Sequence, residues 1–66
     1  MHYNNRGLAY FHEGKIEDSL ADFDKAVELN TIGDPTIYFN RGNAHLSENM
    51  FEKAIEDYDK AAKISS

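Results

Sequence analysis

The chain has 66 residues, with twelve acidic and seven basic side chains, a formal net charge of -5 and no cysteine. This length allows one small domain, and the lack of cysteine excludes disulfides and thiolate metal sites. The acidic balance argues against a nucleic-acid-binding surface, and no stretch is apolar enough to span a bilayer or to serve as a signal peptide. We therefore expect a soluble, intracellular protein, placed in the cytoplasm, that binds neither nucleic acid nor membrane.

Two helices are predicted in the first half of the chain. The first covers residues 2–13 and places Tyr3, Gly7 and Tyr10 on one face, at spacings of four and three. The second covers residues 16–29 and is amphipathic. Its apolar stripe consists of Ile16, Leu20, Phe23 and Val27.

Two further helices in the second half repeat these patterns. The third predicted helix, residues 35–48, places Tyr38, Gly42 and His45 on one face. The fourth covers residues 51–64 and carries the apolar stripe. The residues of that stripe are Phe51, Ile55, Tyr58 and Ala62.

The residues between the helices support these boundaries. Gly14 and Asn49 occupy matching positions after the first and third helices, and both residue types tolerate the left-handed conformation that ends a helix. Asp34 is expected to cap the third helix and Pro35 to occupy its first turn, where a missing N–H costs nothing. The sequence thus predicts two hairpins with the same tight turn.

The two halves match with a period of 35 residues. In the first copy the matching residues are Tyr3, Arg6, Gly7, Tyr10, Ser19, Phe23 and Ala26. In the second copy they are Tyr38, Arg41, Gly42, His45, Ala54, Tyr58 and Ala61. This pattern resembles the tetratricopeptide repeat, whose period is about 34. The resemblance implies an all-α fold of two antiparallel helix-turn-helix hairpins, stacked as a short right-handed α-solenoid, with repeats at residues 1–33 and 34–66.

The resemblance also implies how the helices pack. Gly7 and Gly42 let the first helix of each hairpin approach the second closely, and Phe23 and Tyr58 fill the space beside them. One hairpin cannot bury its apolar stripe alone, so a second hairpin must stack on it.

The charged residues are expected on two different surfaces. Arg6 and Arg41 stand where the family prefers leucine, and we expect them on the packed side. The acidic residues of the second and fourth helices, Asp22 and Asp57 among them, are expected on a solvated outer face that keeps the protein soluble.

The resemblance implies a protein-interaction scaffold whose first and third helices line a concave groove for a peptide segment or a helix. The side of these helices opposite the glycines has no charged residue; it holds Met1, Asn5, Leu8, His12, Thr36, Asn40, Asn43 and Ser47. Asparagine offers donors and acceptors to a peptide backbone. The predicted peptide-binding residues are Asn4, Asn5, Leu8, His12, Phe39, Asn40, Asn43 and Ser47.

Other interpretations remain open at this point. The uncharged side could be a neutral solvent face or one covered by neighbouring repeats, and Phe11, Phe39 and Leu46 fit packing better than ligand anchoring. The alternative function is a purely structural unit that stacks on further repeats or on itself. Nothing after the fourth helix caps its apolar stripe, which suggests either a longer array or a homodimer formed through the uncapped second repeat or by hairpin exchange.

Catalysis has little support in the sequence. The acidic pairs lie on an exposed face with no pocket to shift their pKa values, and no nucleophile motif or Gly-rich phosphate loop occurs. His2, His12 and His45 do not have metal-ligand spacing. We therefore expect no enzyme activity, no cofactor and no metal.

Overall fold

The computed structural model describes residues 2–30 and 33–65. Four α-helices follow one another: α1 (His2–His12), α2 (Ile16–Glu28), α3 (Pro35–Ser47) and α4 (Phe51–Ser65). Within the described ranges no residue is in a strand, so the all-α prediction is confirmed. Each predicted helix start is correct, and each predicted end differs by one residue. Outside the described residues lie Met1, predicted on the uncharged side, and Thr31 and Ile32, which lie between the second and third predicted helices, where an exchange of hairpins would cross.

The turns that close the two hairpins are equivalent, as predicted. Gly14 has a φ of 81° and Asn49 a φ of 60°, both in the left-handed region that these two residue types tolerate best. In each turn the next residue donates a backbone hydrogen bond of 2.9 Å to the carbonyl five positions earlier. Glycine and asparagine therefore perform the same local task in the two copies.

The start of α3 is fixed by the predicted cap and by a second asparagine. The Asp34 carboxylate accepts a hydrogen bond of 2.9 Å from the Thr36 backbone N–H, and Pro35 occupies the first turn. Asn30, at the end of the first hairpin, accepts from the Asp34 N–H at 2.9 Å and donates to the Asp34 carbonyl at 3.2 Å. These bonds set where the second hairpin begins relative to the first.

Each hairpin packs around a glycine, which confirms the predicted close approach. A Cβ atom added to Gly7 would lie 2.7 Å from the Phe23 ring, and one added to Gly42 would lie 2.8 Å from the Tyr58 ring. Real Cβ atoms do not come this close to a ring carbon. Only glycine therefore allows these aromatic rings to lie against the neighbouring helix backbone.

The hairpins stack through α2 and α3, which gives a slab of 31 × 26 × 15 Å. Ile37 on α3 and Phe23 on α2 are fully buried, together with three small residues, Ala26, Ala44 and Ala54. Among the described residues, α4 contacts no helix except α3. As predicted, part of the apolar stripe of α4 therefore stays exposed.

Candidate interaction surface

The two arginines on α1 and α3 each hold a buried aspartate of the same hairpin. Arg6 donates from Nε and Nη2 to the two carboxylate oxygens of Asp22, both at 2.8 Å. Arg41 donates in the same way to Asp57, at 3.0 and 2.7 Å. The arginines thus lie on the packed side as predicted, but the prediction of a solvated outer position was wrong for Asp22 and Asp57, which are buried.

These pairs are strong because they are bidentate and charge-assisted. The hydrogen bonds from Arg6 hold the pKa of Asp22 below its ordinary value, although burial of the carboxylate acts in the opposite direction. The hydrogen bonds to Asp57 raise the pKa of Arg41, again against the effect of burial. A sequence signal existed for both pairs, since an arginine and an aspartate stand 16 residues apart in each copy.

Arg41 also connects the two hairpins. Its Nη1 donates to Asp24 of α2 at 3.0 Å, and its side chain is 16% exposed. His45 lies beside this cluster, with Nε2 3.5 Å from the Asp57 carboxylate. Burial lowers the pKa of His45 from its ordinary value and outweighs the nearby Asp57 charge, which acts to raise it. Arg41, Asp24 and Asp57 therefore form one charged cluster where the two hairpins meet.

The uncharged side of α1 and α3 forms two matching stripes at spacings of four and three. The α1 stripe holds Asn4, Leu8 and Phe11, and the α3 stripe holds Phe39, Asn43 and Leu46. We call these six residues the A surface. The three α1 residues are half-buried, whereas Phe39 and Leu46 are 52% and 45% exposed. The expectation that Phe39 and Leu46 fit packing therefore holds for only about half of the surface of each residue.

A hydrogen bond joins α1 to α3. Asn40 is buried, and its Nδ2 donates to Oδ1 of Asn4 at 3.1 Å. Asn40 therefore acts between the helices, while Asn4 is half-buried at the edge of the A surface. The structure brings these two predicted site residues together, and their bond holds the two stripes side by side.

Asn43 is held by the second helix of its own hairpin. The Tyr58 hydroxyl donates to its Oδ1, and the Tyr58 ring lies 5.6 Å from the ring of Phe39, centroid to centroid. Phe39 and Tyr58 also line an apolar cleft of about 550 Å³ between α3 and the end of α4. We call this space the α3–α4 cleft. Its other lining residues are Pro35, Thr36, Ala61, Ala62 and Ser65.

The remaining predicted site residues are exposed but lie off the two stripes. They are Asn5 and His12 on α1 and Ser47 on α3. Phe11 and Leu46, which the sequence assigned to packing, lie on the stripes that Leu8 and Asn43 define, at helical spacing of three. The predicted set of peptide-binding residues stays a prediction.

Two findings bear on other functions. In the described part of the chain, no three side chains of His, Asp or Glu are grouped closely enough to hold a metal ion. Residues 2–30 and 33–65 contain no helix of the length and apolarity needed to cross a membrane.

Comparison with known proteins identifies the repeated unit. A family model described as tetratricopeptide repeat matches residues 2–30 and 35–66, which is one match for each hairpin. The matches fall on either side of the predicted boundary between residues 33 and 34, and the position of that boundary stays a prediction. No curated protein matches the chain.

Proposed function

Because the chain belongs to the tetratricopeptide repeat family, whose members generally mediate protein–protein interactions, we propose that it binds a peptide segment or helix of another protein on the A surface. The observation that carries the proposal is the pairing of two uncharged stripes with exposed Phe39 and Leu46. Isolated apolar side chains are common on protein surfaces, but here Phe39 and Leu46 share one face of α3, and the half-buried Leu8 and Phe11 occupy the matching face of α1.

Charge is kept away from the A surface. Histidines aside, Arg6 is the only charged residue of α1 and Arg41 the only one of α3. Both are bound to aspartates of the neighbouring helices. A ligand on the A surface therefore meets apolar and amide groups, and we expect apolar side chains from it in return.

Asparagine supplies the polar part of the surface. The described residues engage only the side-chain oxygen of Asn43, so its amide N–H groups are available to a backbone carbonyl of the ligand. Asn40 supports the site indirectly, because its bond to Asn4 sets the separation of the two stripes. A peptide that hydrogen-bonds to Asn43 and packs against Leu46 and Phe39 satisfies both kinds of group.

A displayed library of random peptides tests the proposal. Peptides selected on the wild-type chain are measured against Leu46→Glu and against Leu29→Glu. Leu46 and Leu29 are 45% and 48% exposed, but Leu29 follows α2 and lies outside the A surface. We expect Leu46→Glu to weaken binding at least about tenfold, which is about 1.4 kcal/mol, and Leu29→Glu to leave it unchanged.

The alternative, a purely structural stacking unit, makes the opposite prediction. Selection would then yield no peptide that Leu46→Glu weakens more than Leu29→Glu. If no peptide is selected, or if both variants weaken peptide binding equally, the A surface is not a ligand site. Substitution of Asn40 is less informative, because it removes a bond between α1 and α3 as well as any contact with a ligand.

A further inference from the structure

Equivalent positions in the two hairpins differ in exposure. This difference shows which residues make the contact between the hairpins. The two hairpins share the same glycine–aromatic and arginine–aspartate contacts, so a residue covered only in the second hairpin is best explained by cover from the first. Three α3 residues show this difference: Asn40 and Ala44 are buried, and the Arg41 side chain is 16% exposed. Their equivalents on α1 are all exposed: Asn5, Arg6 and Ala9. We call these three α1 residues the head surface.

At the opposite end of the molecule, residues of α4 are exposed where their equivalents on α2 are covered. On α2, which α3 covers, Ile16 and Leu20 are half-buried and Phe23 is fully buried. Their equivalents on α4 are Phe51, Ile55 and Tyr58. Phe51 and Ile55 are 56% and 58% exposed, and Tyr58 is half-buried. Together with Asp59, these three α4 residues form what we call the tail surface.

We propose that the tail surface binds the head surface of a second copy of this chain, so that α1 of one copy occupies on α4 the place that α3 occupies on α2. The proposal continues an interface already present in the molecule and does not depend on peptide binding at the A surface. The α3–α4 cleft is part of this contact. Tyr58 and Ala61 line it, and their equivalents in the first hairpin, Phe23 and Ala26, are fully covered.

Charge complementarity favours a second copy as the occupant. Within the chain, Nη1 of Arg41 reaches Asp24 while its other nitrogens hold Asp57. Arg6 uses Nε and Nη2 for Asp22, and its Nη1 has no partner among the described residues. Asp59 is the equivalent of Asp24 and is exposed on α4. Stacking therefore brings Nη1 of Arg6 in one copy to the Asp59 carboxylate of the next.

The contact between copies is weaker than the internal one. Asn5 of the second copy meets Phe39, so the bond between Asn40 and Asn4 has no equivalent between copies. A contact that joins two different surfaces leaves a free head and a free tail, and such contacts build open chains unless the rotation closes a ring. We therefore expect association that increases with concentration and continues beyond the dimer.

Matched glutamate variants test this arrangement by sedimentation equilibrium from about 10 μM to about 1 mM, the range of weak complexes. Ala9→Glu blocks the head and Ile55→Glu blocks the tail, and both positions are exposed in the single chain, so the fold is preserved. Each variant alone should associate at least about tenfold more weakly, because burying an unpaired carboxylate is costly. The control is Ala21→Glu, which adds the same charge on α2 at a position equivalent to Glu56.

Mixing the two blocked variants distinguishes this contact from other modes of pairing. The intact tail of Ala9→Glu meets the intact head of Ile55→Glu, so the mixture should form heterodimers that do not grow further. A symmetric tail-to-tail dimer would be unaffected by Ala9→Glu, and an exchanged hairpin would be unaffected by both variants. Either result, or a wild-type chain that is monomeric at about 1 mM, overturns the proposal.

The predicted ion pair has its own test. Asp59→Lys should weaken association several-fold by placing a lysine against Arg6, whereas Asp18→Lys, at the position equivalent to Lys53, should not. Loss of equal size in both variants would mean that net charge alone controls association, and the register proposed here would be wrong.

Discussion

The first and second hairpins make the same bidentate arginine–aspartate pair, yet its surroundings differ. The side chain of Arg6 is 59% exposed, whereas that of Arg41 is 16% exposed and makes a further bond to Asp24 of the preceding hairpin. Both arginines occupy the same place in the repeat. The difference shows that position in the stack, and not the local sequence, decides how deeply each pair is buried.

The aromatic residues show the same effect in the other direction. Phe23 in the first hairpin is fully buried because α3 covers it, and its equivalent Tyr58 in the second is only half-buried beside the α3–α4 cleft. The Tyr58 hydroxyl is used to hold Asn43. In each hairpin, residues that face the other hairpin are therefore more buried than their equivalents on the outer side.

The largest effect should come from removing the more buried arginine. Arg41→Met leaves the Asp57 carboxylate buried without its guanidinium, and breaking such a pair costs about 3 kcal/mol or more. Arg6→Met should cost clearly less, because the Arg6 side chain is 59% exposed and water can take its place beside the Asp22 carboxylate. Urea unfolding of both variants measures this difference. Equal losses would mean that stacking does not change the strength of the pair.

For the glycines, we expect the larger loss of stability in the first hairpin, the reverse of the order for the arginines. Gly7→Ala forces a Cβ against the buried Phe23 ring, and overpacking of this kind costs about 1–3 kcal/mol, of which alanine's higher helix propensity offsets up to about 1. Gly42→Ala should cost less, because the half-buried Tyr58 ring can move towards the cleft. Thermal unfolding of the two variants compares them directly. A greater loss for Gly42→Ala would contradict the difference in packing described here.

The turns should behave alike. Gly14→Ala places an alanine at a φ of 81° and should lower stability by about 1 kcal/mol. Asn49→Gly relieves the same conformation in the second hairpin and should raise stability by a smaller amount, since glycine adopts it without strain. Urea midpoints measure both changes. A loss on Asn49→Gly would show that the asparagine side chain has a further role.

The smallest effect should be the pH dependence of the second hairpin. Burial lowers the pKa of His45 in the folded chain, so the unfolded chain binds more protons as the pH falls below about 6.5. The contribution of His45 to stability is therefore complete above that pH and is lost as the solution is acidified towards the lowered pKa.

Measurement of unfolding at intervals between pH 7.5 and 5.5 tests this direction. His45→Tyr, which copies Tyr10 of the first hairpin, should reduce the slope, and His12→Gln, at an exposed position, should preserve it. A slope that survives in His45→Tyr would assign the pH dependence to another group.

Much of the fold could be predicted because its signals are local or repeated. Helix starts followed from Asp34, Pro35 and helical spacing, and the turns followed from Gly14 and Asn49. The candidate site was predicted less completely. Asn40 looked like a surface amide, but it is buried between the helices. Leu46 looked like a packing residue, but 45% of its surface stays exposed. Neither outcome can be read from one helix alone.

The sequence by itself determined the repeated hairpin, because helix periodicity, turn conformation and the glycine positions depend on residues close in the chain. The tertiary structure decided which copy of each repeated residue is buried. Asp22 and Asp57 are polar residues on amphipathic helices, and only the approach of an arginine from the neighbouring helix makes their burial favourable. Burial depends on what lies across an interface, and residues far apart in the chain supply that neighbour.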